Sequence, residues 1–201
     1  MQRNRTAYVI LGLLSIEPNK SGYDIRKAVE SSVGNFWSES YGQIYPALKK
    51  LAAEGLIEPS HSTSGTRKRR QEYALTESGS ACLREWLALP FQNDPPRNEF
   101  LLKLFFGHEA ASGVSMGHVG ELQQKNRRML ATLLEIEAYA QRQQSQNPNK
   151  PYWMLTLSLG IALTRAALDW GESALAQLAA LETALAEAPQ PAEINSAASG
   201  T

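Results

Sequence analysis

Residues 152–185, YWMLTLSLGIALTRAALDWGESALAQLAALETAL, contain no proline and two glycines, and their apolar side chains fall on two stripes rather than one. One stripe runs Leu155, Leu159, Ala162, Ala166 and Trp170. The other runs Leu157, Ile161, Thr164, Leu168 and Leu175. A helix that covers one core needs a single apolar face, so two faces imply burial from two sides. The preceding segment supplies one neighbour, and a second copy of the chain is the natural occupant of the other side. The sequence therefore predicts a long C-terminal helix in a self-associating, mainly helical half.

The rest of that half reads as helix too. RNEFLLKLFFGHE is an aromatic-rich helix ended by Gly107. GELQQKNRRMLATLLEIEAYAQRQ repeats at Leu122, Asn126, Met129, Leu133, Ile136 and Ala140, a coiled-coil-like seam whose one polar position is Asn126. Upstream, Pro90 and Asp94-Pro95-Pro96 break the chain. The expected organisation is an N-terminal domain over residues 1–90, a helical dimerisation and effector domain over 91–185, and a tail over 186–201. That tail is poor in bulky apolar residues and is expected to be disordered.

The N-terminal part alternates short helices with two extended runs. An apolar helix through Tyr8 to Ile16 ends before Pro18; a secretory leader would need a small-residue cleavage site, and EPNKSGYD follows instead. In SGYDIRKAVESSVG, Ser21 and Asp24 stand at capping-box spacing. Tyr23, Ile25, Ala28 and Val29 form the expected inner face, with Gly34 as the C-cap. In YGQIYPALKKLAAEGLIEP, the core positions are Ile44, Leu48, Leu51 and Ala52, and Gly55 closes the helix. Tyr41, Gln43, Tyr45, Lys49 and Lys50 are left to other faces. Pro46 conflicts with a regular helix through it: either the helix starts near Tyr45 behind a looser turn, or it kinks there. Leu56–Thr63 and Gln71–Leu75 are strand candidates, and TESGSACLREWLAL follows with Thr76 as N-cap and Leu83, Trp86 and Leu87 inward.

Between the two strands, GTRKRR places Arg67, Lys68, Arg69 and Arg70 in a chain of zero formal net charge. Residues 1–90 hold 12 Lys+Arg against 9 Asp+Glu, and residues 91–201 hold 8 against 11, so the basic excess lies with this run. A solvated loop, an import signal and a contact with an anionic polymer all fit such a run. Its place inside a hairpin disfavours the second, and by itself the run leaves the other two open. The preceding helix decides. Three helices and a two-stranded hairpin make the winged helix-turn-helix plan, in which the third helix enters the major groove of DNA. Tyr41, Gln43 and Tyr45 would supply orientation and base contact at the start of that helix. Lys49, Lys50 and Arg67 to Arg70 would neutralise phosphates and give largely sequence-independent affinity.

Several of these segments together resemble the PadR-type transcriptional regulators. The shared pattern is Gly22-Tyr23-Asp24-Ile25, then Tyr45-Pro46-x-Leu48-x-x-Leu51, then Glu54-Gly55-Leu56-Ile57, then Tyr73-x-Leu75-Thr76-x-x-Gly79. From FLLKLFFG onward the helices are similar to the C-terminal half of the longer members. The resemblance implies homodimers joined by C-terminal helices and bound to inverted-repeat operators in double-stranded DNA, usually as repressors. It also implies release by phenolic acids or other aromatic compounds in some members.

A small aromatic effector would need an apolar cleft. Phe105, Trp153 and Trp170 are the candidates to line one between the two halves, against the plainer reading of core or dimer interface. No catalytic, metal or cofactor site is expected. His61, His108 and His118 are scattered, without carboxylate or thiol partners at ligand spacing, and there is no nucleophile elbow or phosphate loop. The one cysteine, Cys82, excludes an intrachain disulfide and suits a reducing cytoplasm, where the chain would associate with the nucleoid. No segment approaches the roughly 20 apolar residues of a bilayer span. The expected function is a DNA-binding repressor released by an effector. An activator, or a winged-helix module that captures a protein, are the alternatives.

Overall fold

The computed structural model describes residues 5–35, 37, 41–60, 71–92, 97–143 and 147–187. The chain divides into two compact units, Met1–Asp94 and Pro95–Thr201.

The first unit contains α1 (Arg5–Ile16), β1 (Lys20–Ser21), α2 (Gly22–Ser31), α3 (Ile44–Ala53), β2 (Ile57–Ser60), β3 (Glu72–Leu75) and α4 (Glu77–Ala88). In α1 the residues Ala7, Ile10, Leu11 and Leu14 repeat on one helix face, and all are buried. They meet Ile25 of α2, then Ile44, Leu48 and Leu51 of α3, then Leu56 and Ile57. Full burial of a side chain of this size contributes roughly 1.5–3 kcal/mol. Tyr8 of α1 stacks on Trp86 of α4, with ring centroids 4.4 Å apart and planes 8° from parallel.

Ser21 and Asp24 form the expected capping box. The Ser21 N–H and hydroxyl both donate to Asp24 Oδ2, at 3.1 and 2.6 Å, and the Asp24 N–H returns to Ser21 Oγ at 3.3 Å. The inner face of α2 differs from the expected one at Tyr23, which is 47% exposed. Ile25 and Val29 fix the inward direction, and Tyr23, two residues before Ile25, lies about 200° round the helix. Gly34 is not the C-cap. The helix stops at Ser31, Ser32 caps it, and Gly34 belongs to the following 3₁₀ turn, Val33–Asn35. Leu87 of α4 is likewise outward, because Leu83 and Trp86 take the packed face and the next residue turns about 100° away.

The sheet has one strand more than the sequence suggested. Its order is β1-β3-β2, antiparallel throughout, with Lys20 opposite Tyr73 and Ser21 opposite Glu72. On the other side of β3 the register runs from Ile57 opposite Leu75 to Ser60 opposite Glu72. Pro59 is tolerated because β2 is an edge strand.

The second unit contains α5 (Glu99–Phe105), α6 (Val114–Arg142) and α7 (Lys150–Glu187). Asn98 caps α5, its side chain accepting from the Leu101 N–H at 3.2 Å. Gln123 of α6 meets Leu168 of α7, and Glu182 of α7 meets Gly113 just before α6, so the two long helices run antiparallel. Of the expected inner stripe on α7, Ile161 and Thr164 are buried and Leu157, Leu168 and Leu175 are half-buried, with Val119, Gln123 and Leu133 buried on α6. The polar residue in this seam is therefore Gln123 rather than Asn126. Gln123 Nε2 donates to the Leu168 carbonyl at 3.2 Å, and its Oε1 accepts from Arg127 Nη2 at 2.6 Å. A Cβ on Gly171 would stand 2.7 Å from Gln123 Nε2, so the glycine makes room for the amide. Asn126 is half-buried and donates back to the Leu122 carbonyl of its own helix at 3.0 Å. Ile136, expected in the same seam, is 37% exposed. α7 runs two residues into the predicted tail, and residues 188–201 lie outside the described set.

At the far end of α7, Glu182 clips the start of α6. Gly113 N–H donates to Oε1 at 2.6 Å and the Ser112 hydroxyl to Oε2 at 2.8 Å. The Gly113 backbone bond, and then the Ser112 bond, lower the Glu182 pKa below its ordinary value. A depressed folded-state pKa gives stability that is present above the unfolded value and is lost as pH falls through the folded one. Glu182→Gln is therefore expected to remove part of the acid-side decline in the thermal midpoint of this unit. Parallel melts of wild type and variant from neutral pH downward check it; superimposable acid limbs would refute the clip.

Candidate nucleic-acid interface

The local structure of α3 follows from its entry. A 3₁₀ turn, Tyr41–Gln43, leads into the α-helix at Ile44. Pro46 is thus the third helical residue, where a backbone N–H has no intrahelical acceptor to lose. The residue four positions back, Gly42, lies in the 3₁₀ turn and not in the α-helix, so no kink is required. Ile44, Leu48 and Leu51 point into the core at 1–2% exposure, which leaves Gln43, Tyr45, Lys49 and Lys50 exposed. The exit is set by Gly55, at φ +70°, where an L side chain would be strained.

Of the residues expected to contact DNA, the structure thus presents Gln43, Tyr45, Lys49 and Lys50 from one helix and its entry turn. The backbone of Tyr41 lies in that turn, and its side chain is outside the described set. Arg67, Lys68, Arg69 and Arg70 also lie outside the described residues. What is described is the base from which that run departs, the β2–β3 ladder ending at Ser60 and Glu72. Lys50 makes a long 4.0 Å ion pair with Glu54 on the exposed face of α3, a pair of small energetic value. A shallow groove of about 280 Å³ lies between α1 and α3, lined by Ala7, Gly42, Gln43, Pro46, Ala47, Lys50, Leu51 and Glu54.

The aromatic candidates for an effector lie in the second unit and do not line that groove. Phe105 is 81% exposed and meets Phe106 edge to face at 5.1 Å. Trp170 is partnered by Phe100, edge to face at 5.9 Å, a pairing the sequence did not single out. Trp153 is half-exposed near the start of α7. Among the described residues no three His, Cys, Asp or Glu side chains are grouped to hold a metal ion, and no helix is long and apolar enough to cross a membrane.

Comparison with known proteins follows this division of the chain. Residues 10–85 match the model of the transcriptional regulator PadR-like family, and residues 96–179 match that of the virulence activator alpha C-terminal region. The negative transcriptional regulator PadR of Bacillus subtilis (strain 168) is 32% identical over 177 residues, covering 85% of this chain and 96% of the relative. The crystal structure of the B. subtilis protein with operator DNA superposes with a TM-score of 0.75 at 30% identity, covering 87% of this chain and 99% of that one. Its complex with p-coumaric acid gives 0.69 at 30% identity, with the same coverage. The virulence activator AphA of Vibrio cholerae gives 0.70 at 28% identity, covering 88% and 99%.

Proposed function

The chain belongs to the PadR-like family of transcriptional regulators, and on that premise we propose that it is a homodimeric, sequence-specific DNA-binding repressor released by a small aromatic effector. The observation that carries this reading is the arrangement of α3, whose buried Ile44, Leu48 and Leu51 oblige Gln43, Tyr45, Lys49 and Lys50 to face outward. The β2–β3 ladder, between whose strands the basic run stands in sequence, ends at Ser60 and Glu72. In this plan the α3 helices of two protomers enter successive major-groove half-sites, and Arg67 to Arg70 lie along flanking phosphates. The operator and p-coumaric acid complexes of the B. subtilis relative support DNA and an aromatic compound as ligands. The reading places the protein with the chromosome, in the cytoplasm. For the effector, Phe105, Trp153 and Trp170 remain the residues to replace first. An effector must bind the DNA-competent and incompetent states unequally, since equal affinity shifts nothing.

Activation is the second reading, favoured by the match to AphA and to the C-terminal model named for virulence activators. A reporter driven by the bound promoter separates the two by the sign of its response to deletion of the regulator.

The direct test is binding to the DNA upstream of the gene and to a scrambled duplex of equal length, across a salt series. A preference for the upstream DNA supports a self-regulating factor, whereas no binding to either at low salt would sink the DNA reading. Lys49→Ala with Lys50→Ala is expected to weaken binding to both duplexes. It should also reduce the steepness of log K against log salt by roughly 2, close to one for each phosphate left without its lysine. An unchanged slope would remove these lysines from the interface.

A further inference from the structure

Tyr45 is 60% exposed, yet its ring does not stand freely on α3. A Cβ built on Gly22 would lie 2.6 Å from Tyr45 Cε1, 3.2 Å from its Cδ1 and 3.2 Å from Leu48 Cδ1. The aromatic ring therefore leans on bare backbone at the first residue of α2. That residue is itself held. Ser21, immediately before it, closes the capping box with Asp24 and pairs in β1 with Glu72 at the base of the β2–β3 hairpin.

We propose that Tyr45 contacts the DNA backbone rather than a base, and that Gly22 is the positioning residue that sets its ring there. The inference deepens the DNA-binding reading and rests on it. In a helix-turn-helix the helix before the recognition helix crosses the sugar–phosphate backbone while the recognition helix lies in the groove. A side chain of α3 drawn toward the start of α2 stands at the edge of the groove, beside phosphates, and its hydroxyl is a phosphate donor. Gln43, at the entry to α3 and outside this contact, keeps the base-reading role. A phosphate contact carries no sequence information directly, so the two residues separate by what their loss does to selectivity.

The experiment uses full-length protein and a duplex selected by the wild type from a random-sequence pool, with a scrambled duplex as reference. Tyr45→Phe keeps the ring on Gly22 and removes the hydroxyl. Affinity is expected to fall about tenfold on both duplexes, the cost of a hydrogen bond to a charged group, with their ratio unchanged. A loss confined to the selected duplex would make Tyr45 a base reader and overturn the proposal. Gly22→Ala is expected to cost a similar factor in the wild-type background and far less in a Tyr45→Ala background, because the ring is the closest group its methyl meets. An equal loss in both backgrounds would reduce Gly22 to a structural glycine and refute its positioning role. If the Gly22 variant does not fold, Tyr45→Phe still decides the backbone assignment. Failure of the wild type to select any duplex would instead sink the DNA-binding reading itself.

Discussion

Gly79→Ala is expected to be the most damaging single-methyl change in the first unit. A Cβ at this position would sit 2.0 Å from the Leu56 carbonyl oxygen, 3.0 Å from the Leu56 carbonyl carbon and 2.7 Å from Leu75 Cδ1. The oxygen belongs to backbone, so relief requires α4 or the start of β2 to move by about an ångström. That movement breaks a knot of hydrogen bonds. The Thr76 hydroxyl accepts from the Gly79 N–H at 3.0 Å and donates to the Gly55 carbonyl at 2.8 Å, while the Thr76 N–H donates to Leu56 at 3.2 Å. It also displaces α4, which carries Trp86 onto Tyr8. Overpacking alone costs roughly 1–3 kcal/mol, and the lost cap adds about 1 more. The alanine's better helix propensity returns up to about 1 kcal/mol. A net loss of roughly 1–3 kcal/mol lowers the thermal midpoint of a unit this size by on the order of 10 °C. Gly12→Ala is the control: nothing lies within 4 Å of a Cβ there, inside α1, and it should leave the midpoint unchanged or raise it. Equal melting of the two variants, followed by circular dichroism, would refute the packing argument.

The same knot explains why the first unit was so legible. Gly55, Leu56, Thr76 and Gly79 are part of the spaced pattern by which the sequence resembles its family, and in the structure they are one junction where α3, β2 and α4 meet. Gly55 supplies a positive φ, Thr76 a cap, and Gly79 the space for a carbonyl. The Gly55 φ and the Thr76 cap on the Gly79 N–H act within three or four residues, so they can be read from the chain, as can the Ser21–Asp24 box. The room Gly79 leaves for the distant Leu56 carbonyl was legible only as part of the family pattern. The exposed face of α3 was legible for a related reason, since it is whatever the core spacing of Ile44, Leu48 and Leu51 leaves over.

What the sequence concealed is nonlocal. β1 is two residues long and carries no periodicity, and it is a strand only because Tyr73 and Glu72 lie beside it. Asn126 and Gln123 are equally polar, and the bare backbone of Gly171 that makes room for Gln123 lies on the facing helix. The lean of Tyr45 onto Gly22 is also a contact between separate elements, so spacing within α3 could not distinguish a base reader from a backbone contact.

Leu159→Glu together with Leu163→Glu is expected to convert the protein from dimer to monomer while leaving its helices intact. The sequence assigned α7 two apolar stripes, and the structure satisfies one of them: Ile161 and Thr164 are buried against α6. On the other side, Leu155, Leu159 and Trp170 of the second stripe remain 67%, 60% and 41% exposed, and Leu163, one turn beyond Leu159 and outside the expected stripe, is 63% exposed. So much aligned apolar surface marks an interaction face, and in the proposed dimer a second α7 covers it. A leucine covered there contributes roughly 1.5–3 kcal/mol, and a carboxylate in its place adds the cost of an unpaired buried charge. Two such changes exceed what a typical interface can absorb. The same carboxylates are solvated in the monomer, so the circular dichroism spectrum should not change, whereas Ile161→Glu should unfold the α6–α7 pair. A monomer engages one half-site at a time and loses the gain from linked binding, on the order of 100-fold in operator affinity. Sedimentation at micromolar concentration and binding to the selected duplex read the two effects separately. A variant that stays dimeric with an unaltered spectrum would move the dimer interface away from this stripe. A monomer that binds as tightly as the wild type would show that one α3 suffices, and would remove the symmetric operator from the proposed mechanism.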